Sequence, residues 1–216
     1  MTKQSTVDLT PAELLTTTRS VRRRLDLSRP VPRELIETCL SIAIQAPSGS
    51  NLQGWQFLMI DDAERKAALA TYYARSHAQY RPLSTRPAPG QSQQAPARLR
   101  ASVDYLAEHL HEVPTLLMPL QRGRLPSDAT SHQAAGFYGS ILPAVWSFML
   151  AARLHGLGTS FTTMHLRYER EVAAEFAIPY DRVTQIGLVS VGYYLGAQFS
   201  PAARRPVNEL IHWNNW

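Results

Sequence analysis

The sequence predicts a single domain that contains both helices and buried strands. The chain has 216 residues, of which 44% are hydrophobic, and this is enough to bury one large core. Apolar patterns with a helical period alternate with short runs of bulky apolar residues, which are typical of buried strands. The strand-like runs lie at 55–60, 114–120, 157–163 and 183–194. We therefore expect one domain with elaborations rather than two domains.

The amino-acid composition gives information on the cellular compartment and on the binding partners. The single cysteine, Cys39, excludes an internal disulfide and a cysteine-built zinc site, and its place in a helical apolar run predicts core packing. The N-terminus has no apolar leader, and no run approaches the roughly 18 uninterrupted apolar residues of a membrane span. We expect a cytoplasmic protein. Lys3 and Lys66 are the only lysines, so the net charge of +5 depends on arginine, which pairs well with phosphates and carboxylates.

A short helix and a basic segment open the chain. Thr10, Pro11 and Glu13 form a capping pattern that begins a helix ending near Thr18. The segment 19–25 follows and contains four arginines around one hydroxyl. It could hold a phosphate, or it could be a solvated basic loop. A nucleic-acid patch is a third interpretation, but the segment lacks interleaved aromatic residues.

A polar turn joins the second helix to the first strand. The helix runs from about Arg33 to Gln45, Pro47 ends it, and a strand follows from Trp55 to Ile60. The turn between them has small residues, so its backbone can approach a flat ligand closely. Asn51 and Gln53 each offer a donor and an acceptor, which suits the edge of a heterocycle. An ordinary capped connection is the alternative.

The middle of the chain is less regular. Asp61 and Asp62 can cap a helix that continues to about Ala74. Residues 77–100 contain four prolines and few large apolar residues, so we expect a mobile insertion that is either a lid over a pocket or dispensable. A short helix around Leu106 and the second strand follow.

The last third of the sequence predicts a long buried helix and two more strands. Ser131 caps a helix that extends to Leu154, with a kink at Pro143, and its apolar surface indicates a core helix or a dimer contact. Gly156 ends this helix, and the third strand follows. A helix at 169–176 and one long strand at 183–194 come next. Trp213 and Trp216 should pack on the domain or on a second subunit.

Common catalytic motifs are absent from the sequence. The glycines of the segment Gly156-Leu157-Gly158 open no helix and lack the third glycine of a dinucleotide-binding loop, and there is no Walker loop, His-Glu-x-x-His or Gly-x-Ser-x-Gly. We expect no metal site. The arginines, hydroxyls and amides that remain are typical of a protein whose cofactor carries the chemistry.

Four segments together resemble the FMN-dependent nitroreductase family in order and approximate spacing. They are Arg19–Arg22, Ala46–Phe57, Gly156–Thr159, and Arg205–Val207 running into His212–Trp213. The resemblance covers nearly the whole chain except about 77–130. It implies an α+β nitroreductase-like fold in one domain, 1–216, with a central, mostly antiparallel sheet flanked by helices. It also implies an intertwined homodimer with FMN at the interface and tails that cross to the partner.

The resemblance also implies which residues would bind FMN. Arg19, Ser20 and Arg22 would hold its phosphate, ribityl chain or pyrimidine edge, and Arg204 and Arg205 would add phosphate contacts. The turn residues Pro47, Ser48, Gly49 and Asn51 would contact the flavin, partly from the opposite subunit, and Gln53 would contact the ring or the ribityl chain. The backbone N–H groups of Thr163 and Met164 would lie near flavin N5. The sequence departs from the family pattern at Thr18, Arg24, Gly54 and the segment Gly192–Tyr194.

The implied function is a ping-pong reaction in which NADH or NADPH reduces FMN and a nitroaromatic, quinone or other small electrophile then takes the electrons. No dedicated catalytic side chain, nucleic acid or membrane is expected. A first alternative is a flavoprotein of the same fold with another reaction, such as dehalogenation, flavin destruction or dehydrogenation. A second is a binding protein without redox turnover.

Overall fold

The computed structural model describes residues 7–80, 91–196 and 199–216. Seven α-helices and five strands form in this part of the chain. The helices are α1 (Pro11–Thr17), α2 (Arg33–Ala43), α3 (Ala63–Ala78), α4 (Ala95–His109), α5 (Ser131–Gly139), α6 (Leu142–Leu154) and α7 (Glu169–Glu175). The strands are β1 (Trp55–Ile60), β2 (Thr115–Arg122), β3 (Leu157–Thr162), β4 (Val183–Gln185) and β5 (Leu188–Tyr193).

The five strands form one sheet with the order β1-β2-β5-β3, and β4 also pairs with β2. Every pair of named strands is antiparallel. A single parallel bridge joins Ser20 to Thr159 and extends the sheet beyond β3. The prediction of a central, mostly antiparallel sheet flanked by helices is confirmed.

The sheet separates two apolar layers. Because side chains alternate along a strand, Leu116 and Met118 face one layer while Leu117 faces the other. The first layer contains the buried faces of α3, α4 and α7, and the second contains α2 and α6. Cys39 is fully buried in the second layer, as predicted, and burial raises the pKa of its thiol to about 12.

Several predicted element ends are confirmed by their capping contacts. Thr10 and Glu13 form a reciprocal capping box at α1, with Pro11 in the first turn. The Asp62 side chain accepts a hydrogen bond from the backbone of Arg65 at the start of α3. Gly156 has a φ of 74° and follows α6, so it provides the left-handed residue that terminates many helices. The strand β1 has the predicted bounds.

The predicted long helix at 131–154 is two helices. α5 ends at Gly139, and α6 begins at Leu142 with Pro143 in its first turn. Proline lacks the N–H that a continuous helix needs at this position, and its ring would contact the carbonyl of Gly139. The kink expected at Pro143 is therefore a break.

The predicted strand at 183–194 is also interrupted. Leu117 pairs with Val189 and Leu120 pairs with Gln185, so the two residues of β2 between these pairs stand opposite three residues, 186–188. This two-against-three count is a bulge, and Pro119 of β2 has no N–H with which to complete the ladder. The Pro119 carbonyl instead accepts from Ile186 N–H at 3.0 Å.

The predicted insertion at 77–100 has helices at both ends. α3 continues past the predicted Ala74 to Ala78, and α4 begins at Ala95 rather than near Val103. The part of the insertion at 81–90 lies outside the described residues.

The C-terminal tail is exposed on this protomer. Trp213 is 83% exposed and Trp216 is fully exposed, so the expectation that these rings pack on their own domain is wrong. A partner subunit remains the other expectation. The His212 and Trp216 rings stack on each other at 4.5 Å.

One helical stretch among the described residues, Ser131–Leu154, is long and apolar enough to cross a membrane by length and composition alone. A buried core helix satisfies the same test. Its second half, α6, places Phe148 and Ala152 in the core, and the break at Ser140–Ile141 interrupts it.

Candidate functional site

The basic segment after α1 lies along β3. The Val21 N–H donates to the Thr159 carbonyl at 2.8 Å, and the Val21 side chain is buried. This approach requires a glycine at position 158, because a Cβ there would lie 2.9 Å from two carbons of Val21. Because the segment runs parallel to β3 from the bridge between Ser20 and Thr159, Arg22 lies near the end of this strand. The Leu25 N–H then donates to the Arg22 carbonyl and closes a turn.

A cavity of about 620 Å³ opens where this segment meets the loop after β3. Its walls come from the basic segment, α3, α4 and the loop. The lining residues are Arg22, Tyr73, Ser76, Tyr80, Val103, Phe161, Thr162, Thr163, Met164 and Arg167. The cavity thus brings together Arg22, Thr163 and Met164, three of the predicted site residues, from segments far apart in the chain.

Arg22 is the central cation of this cavity. Its side chain is half-buried, and burial lowers the pKa of its guanidinium, with an opposing contribution from Tyr73 and Tyr80. Among the described residues, no carboxylate forms an ion pair with it. A desolvated guanidinium without a carboxylate is typical of a site that receives an anionic or carbonyl-rich ligand.

The loop after β3 presents backbone donors next to this cation. The Met164 N–H makes a long hydrogen bond of 3.4 Å to Thr162 Oγ1, and this oxygen lies 3.2 Å from the Tyr73 hydroxyl. The Thr163 N–H donates to no residue that the structure describes. Of the two N–H groups predicted near flavin N5, Thr163 therefore offers the donor that remains open to a ligand.

His165 follows Met164 and is fully buried behind the loop. Burial lowers the pKa of its imidazole to about 4, so the ring is neutral near pH 7. Within the described ranges, no cluster of three His, Cys, Asp or Glu residues could hold a metal ion.

The predicted turn at 47–53 lies outside this cavity. Gly49–Asn51 form a 3-10 turn, and positive φ values occur at Ser50, Asn51 and Gln53. Within the turn, the Gln53 amide nitrogen donates to Asn51 Oδ1 at 3.0 Å, and the Gly49 N–H donates to Ser140 Oγ at 3.0 Å. The turn is exposed except at Ser48 and does not line the cavity.

The remaining predicted phosphate ligands are on the surface. Arg19 donates to the carbonyl of Ser200 at 3.1 Å, which brings the start of the tail next to the basic segment. Arg205 pairs with Glu209 at 3.3 Å, and Arg204 contacts the neighbouring carbonyl of Ala203. Ser20 is exposed beside Thr159. These four residues do not line the cavity.

The predicted arginine cluster 22–24 is dispersed in the fold. Arg22 faces the cavity, Arg23 is exposed, and the Arg24 guanidinium lies over the Phe199 ring at 4.2 Å while donating to the Leu195 carbonyl. The segment therefore does not present a continuous basic stripe of the kind that binds nucleic acid.

Sequence reasoning missed seven of the ten residues that line the cavity. Tyr73 and Ser76 lie one turn apart on α3, and Tyr80 follows two residues after the helix ends, a spacing that predicts packing rather than a site. Arg167 lies in a 3-10 turn, Met164–Tyr168, and carries no motif. The available signal is an arginine three residues after Met164, a predicted backbone donor.

Comparisons with known proteins show the family and the fold. Residues 15–193 match the model described as Nitroreductase family. A curated relative, 5,6-dimethylbenzimidazole synthase from Rhodospirillum rubrum, is 29% identical over 140 residues. The match spans 62% of this chain and 61% of the relative, which is less than two thirds of that protein.

Solved structures resemble the chain over nearly its whole length. Oxidised iodotyrosine deiodinase bound to FMN and 3-iodo-L-tyrosine has a TM-score of 0.68 and 25% identity, and the match covers 95% of this chain and 98% of that chain. A variant of an FMN and NADPH-dependent nitroreductase from Sphigopyxis sp. strain HMH has a TM-score of 0.69 and 22% identity, and the match covers 96% and 100%. Both are described with FMN.

Proposed function

This chain belongs to the nitroreductase family, and from that membership we propose that it is an FMN-dependent oxidoreductase. In this proposal NADH or NADPH donates a hydride, and a nitroaromatic compound, a quinone or a similar electrophile accepts the electrons. The observation that carries the proposal is the meeting of Arg22 with the Thr162–Met164 loop in one cavity.

The groups around the cavity fit an isoalloxazine ring. The ring edge alternates carbonyl oxygens with nitrogens, and the cavity offers a guanidinium, the open Thr163 N–H and the hydroxyls of Tyr73 and Thr162. Phe161 and Met164 add apolar surface. This mixture of a few convergent polar groups on an apolar wall is typical of cofactor sites.

We assign the ring edge and the phosphate to different parts of the chain. Arg22 and the Thr163 N–H would hold the ring, while Arg19, Ser20, Arg204 and Arg205 would hold the ribityl phosphate. The 3.1 Å hydrogen bond from Arg19 to Ser200 supports this division, because it joins the basic segment to the beginning of the basic tail. The turn with Pro47, Ser48, Gly49, Asn51 and Gln53 would contribute from the partner of a homodimer.

Bound FMN would supply the redox chemistry, because a flavin can take up a hydride and then give up its electrons. The contribution of Arg22 would be electrostatic, because a cation at the pyrimidine edge stabilises negative charge that develops there. Thr163 N–H would orient the ring. An open cavity lets donor and acceptor enter in turn, which gives ping-pong kinetics without a separate dinucleotide domain.

Anaerobic reduction tests this proposal. The purified protein should lose its flavin absorbance on addition of NADH or NADPH and should regain it on addition of 1,4-benzoquinone or a nitroaromatic compound. Initial rates at several acceptor concentrations should give parallel double-reciprocal lines. A bound flavin that neither nicotinamide reduces would contradict the hydride-donor part of the proposal.

A second candidate is a family member with a different flavin reaction. The 29% identity to 5,6-dimethylbenzimidazole synthase and the 25% identity to iodotyrosine deiodinase favour it. Exposure of the reduced protein to air, followed by chromatography for 5,6-dimethylbenzimidazole, tests the first reaction. Incubation of the reduced protein with 3-iodo-L-tyrosine, followed by assay for tyrosine, tests the second.

A further inference from the structure

The wall of the cavity carries a second guanidinium, Arg167, which no flavin motif accounts for. It lies in the 3-10 turn that follows Met164, and its side chain is largely exposed. Its one hydrogen bond within the described ranges is a 3.5 Å contact from Nη1 to Gln79 Oε1, at the limit of such bonds. The guanidinium is thus held weakly and keeps donors available to a ligand.

The charges around Arg167 differ from those around the arginines that form surface ion pairs. Four such arginines are paired with carboxylates, in the pairs Arg33–Asp61, Arg65–Glu175, Arg100–Asp104 and Arg205–Glu209, whereas Arg167 has no such pair among the described residues. The nearby carboxylate of Glu169 is committed elsewhere, because it forms two hydrogen bonds of 2.8 and 3.1 Å with Arg124. The described residues that line the cavity include two arginines and no aspartate or glutamate.

This arrangement makes the cavity electropositive. If Arg22 serves the flavin ring, Arg167 remains for the small molecule that enters afterwards. An unpaired guanidinium presents a planar fork of donors that matches a carboxylate or a phosphate. Ser76 and Tyr80 lie on the same wall and add hydroxyl groups for such an anion.

We propose that Arg167 is a specificity residue that selects an anionic group, a carboxylate or a phosphate, on the substrate that meets the flavin. The proposal rests on the proposed function for the presence of a flavin, but it concerns a different ligand. The anion can belong to the electron acceptor, or it can be the extra phosphate that distinguishes NADPH from NADH. Neutral analogues would lose this contact and bind more weakly.

Matched ligand pairs separate these sources. For the acceptor we would measure the binding of 4-nitrobenzoate and 4-nitrobenzamide to the oxidised holoenzyme by calorimetry, which needs no turnover. For the donor we would measure the concentration dependence of flavin reduction by NADPH and NADH. Both measurements are made on the wild type and on the variants Arg167→Ala, Arg167→Lys and Arg170→Ala. Arg170 is an exposed arginine three residues later that lies over the Tyr180 ring at 4.5 Å and does not line the cavity.

We expect the Arg167→Ala variant to bind the anionic ligand more weakly than the wild type does, and the neutral ligand equally well, in at least one of the two pairs. Arg167→Ala should weaken that ligand roughly tenfold, the effect of losing one charge-assisted hydrogen bond at an exposed site, and should leave its neutral partner unchanged. Arg167→Lys should retain part of the preference, and Arg170→Ala should retain all of it. The FMN content of the Arg167 variants should equal that of the wild type.

Three results would overturn the proposal. One is a wild type that binds both members of each pair equally, and another is an Arg167→Ala variant that weakens anionic and neutral ligands alike. The third is loss of FMN from Arg167→Ala, which would place the residue in the cofactor site. Failure of the proposed function looks different, because a flavin that resists both nicotinamides leaves the calorimetric comparison intact.

Discussion

The backbone N–H of Val21 donates to the carbonyl oxygen of Thr159 at 2.8 Å. This hydrogen bond joins two segments that are more than 130 residues apart in the chain. It lays the basic segment along β3 and so brings Arg22 to the strand end where Thr163 and Met164 begin the next loop. The candidate cofactor site depends on this contact.

Gly158→Ala should disturb that contact. The new Cβ would lie 2.9 Å from Val21, which is closer than packed carbons tolerate, so the basic segment must shift. Overpacking of this kind costs roughly 1–3 kcal/mol of folding free energy, and we expect a parallel loss of FMN affinity. Urea denaturation and FMN titration measure the two effects. Gly136→Ala is the control, because a Cβ there meets no atom within 4 Å, and equal behaviour of the two variants would refute the argument.

Arg19→Ala and Arg205→Ala should each weaken FMN binding by about 1–3 kcal/mol, since each would remove a charge-assisted hydrogen bond to the phosphate. Fluorescence titration of the apoprotein with FMN gives the affinities. Arg33→Ala removes a surface arginine that pairs with Asp61 away from the cavity, and it should leave the affinity unchanged. Full flavin affinity in both test variants would refute the phosphate assignment.

Tyr73→Phe should destabilise the loop that carries Thr163. The Tyr73 side chain is 1% exposed, and its hydroxyl lies 3.2 Å from Thr162 Oγ1. Without this hydroxyl, the partly buried Thr162 Oγ1 loses a hydrogen-bond partner. We therefore expect a loss of about 1 kcal/mol in the free energy of unfolding. Tyr72→Phe is the control on the same helix. A Tyr73 variant as stable as the Tyr72 variant would show that the bond contributes nothing.

The buried His165 predicts a loss of stability in acid. Its pKa is lowered from 6.5 to about 4 in the folded protein, so the unfolded chain binds more protons between these two values. Stability should therefore fall as the pH falls from about 6.5 to about 4, by on the order of 3 kcal/mol. Urea denaturation at several pH values measures the slope. His165→Gln should flatten it, whereas substitution of the exposed His132 should not; a wild-type slope in His165→Gln would contradict the assignment.

Removal of the chain from Ile211 onward should impair dimerisation and flavin binding together. The tail exposes Ile211, Trp213 and Trp216 on this protomer, and large apolar side chains in contiguous exposed segments are typical of interfaces. Light scattering and flavin absorbance of the truncated protein are the measurements. A stable yellow monomer would refute the crossing-tail hypothesis.

Local signals in the sequence predicted much of the fold. These signals act within a few residues, as at the Thr10–Glu13 capping box, the Asp62 cap and Gly156. The strand β1 lies between the turn that begins at Pro47 and the pair Asp61–Asp62. For the predicted strand at 183–194, a residue on another strand decided the outcome. The bulge between β4 and β5 depends on Pro119 of β2, which the sequence of 183–194 does not reveal.

The candidate site also contains some residues that the sequence could predict and others that it could not. The resemblance to the family pointed to Arg22, Thr163 and Met164, and these three residues line one cavity, while their contact with a flavin stays a prediction. Tyr73 and Arg167 could not be found in this way, because Tyr73 follows the period of a core helix and Arg167 lies in a short turn. Their roles depend on the packing of α3 against the loop after β3.

The most direct measurement of the central claim is the FMN content of the purified wild type beside that of Arg22→Ala and Arg23→Ala. The account predicts a yellow wild type with about one FMN per chain and an equally loaded Arg23 variant, since Arg23 is exposed outside the cavity. Arg22→Ala should bind FMN roughly 10-fold to 100-fold more weakly, because it loses a half-buried guanidinium. A colourless wild type that takes up no added FMN, or an Arg22→Ala variant with full affinity, would contradict the account.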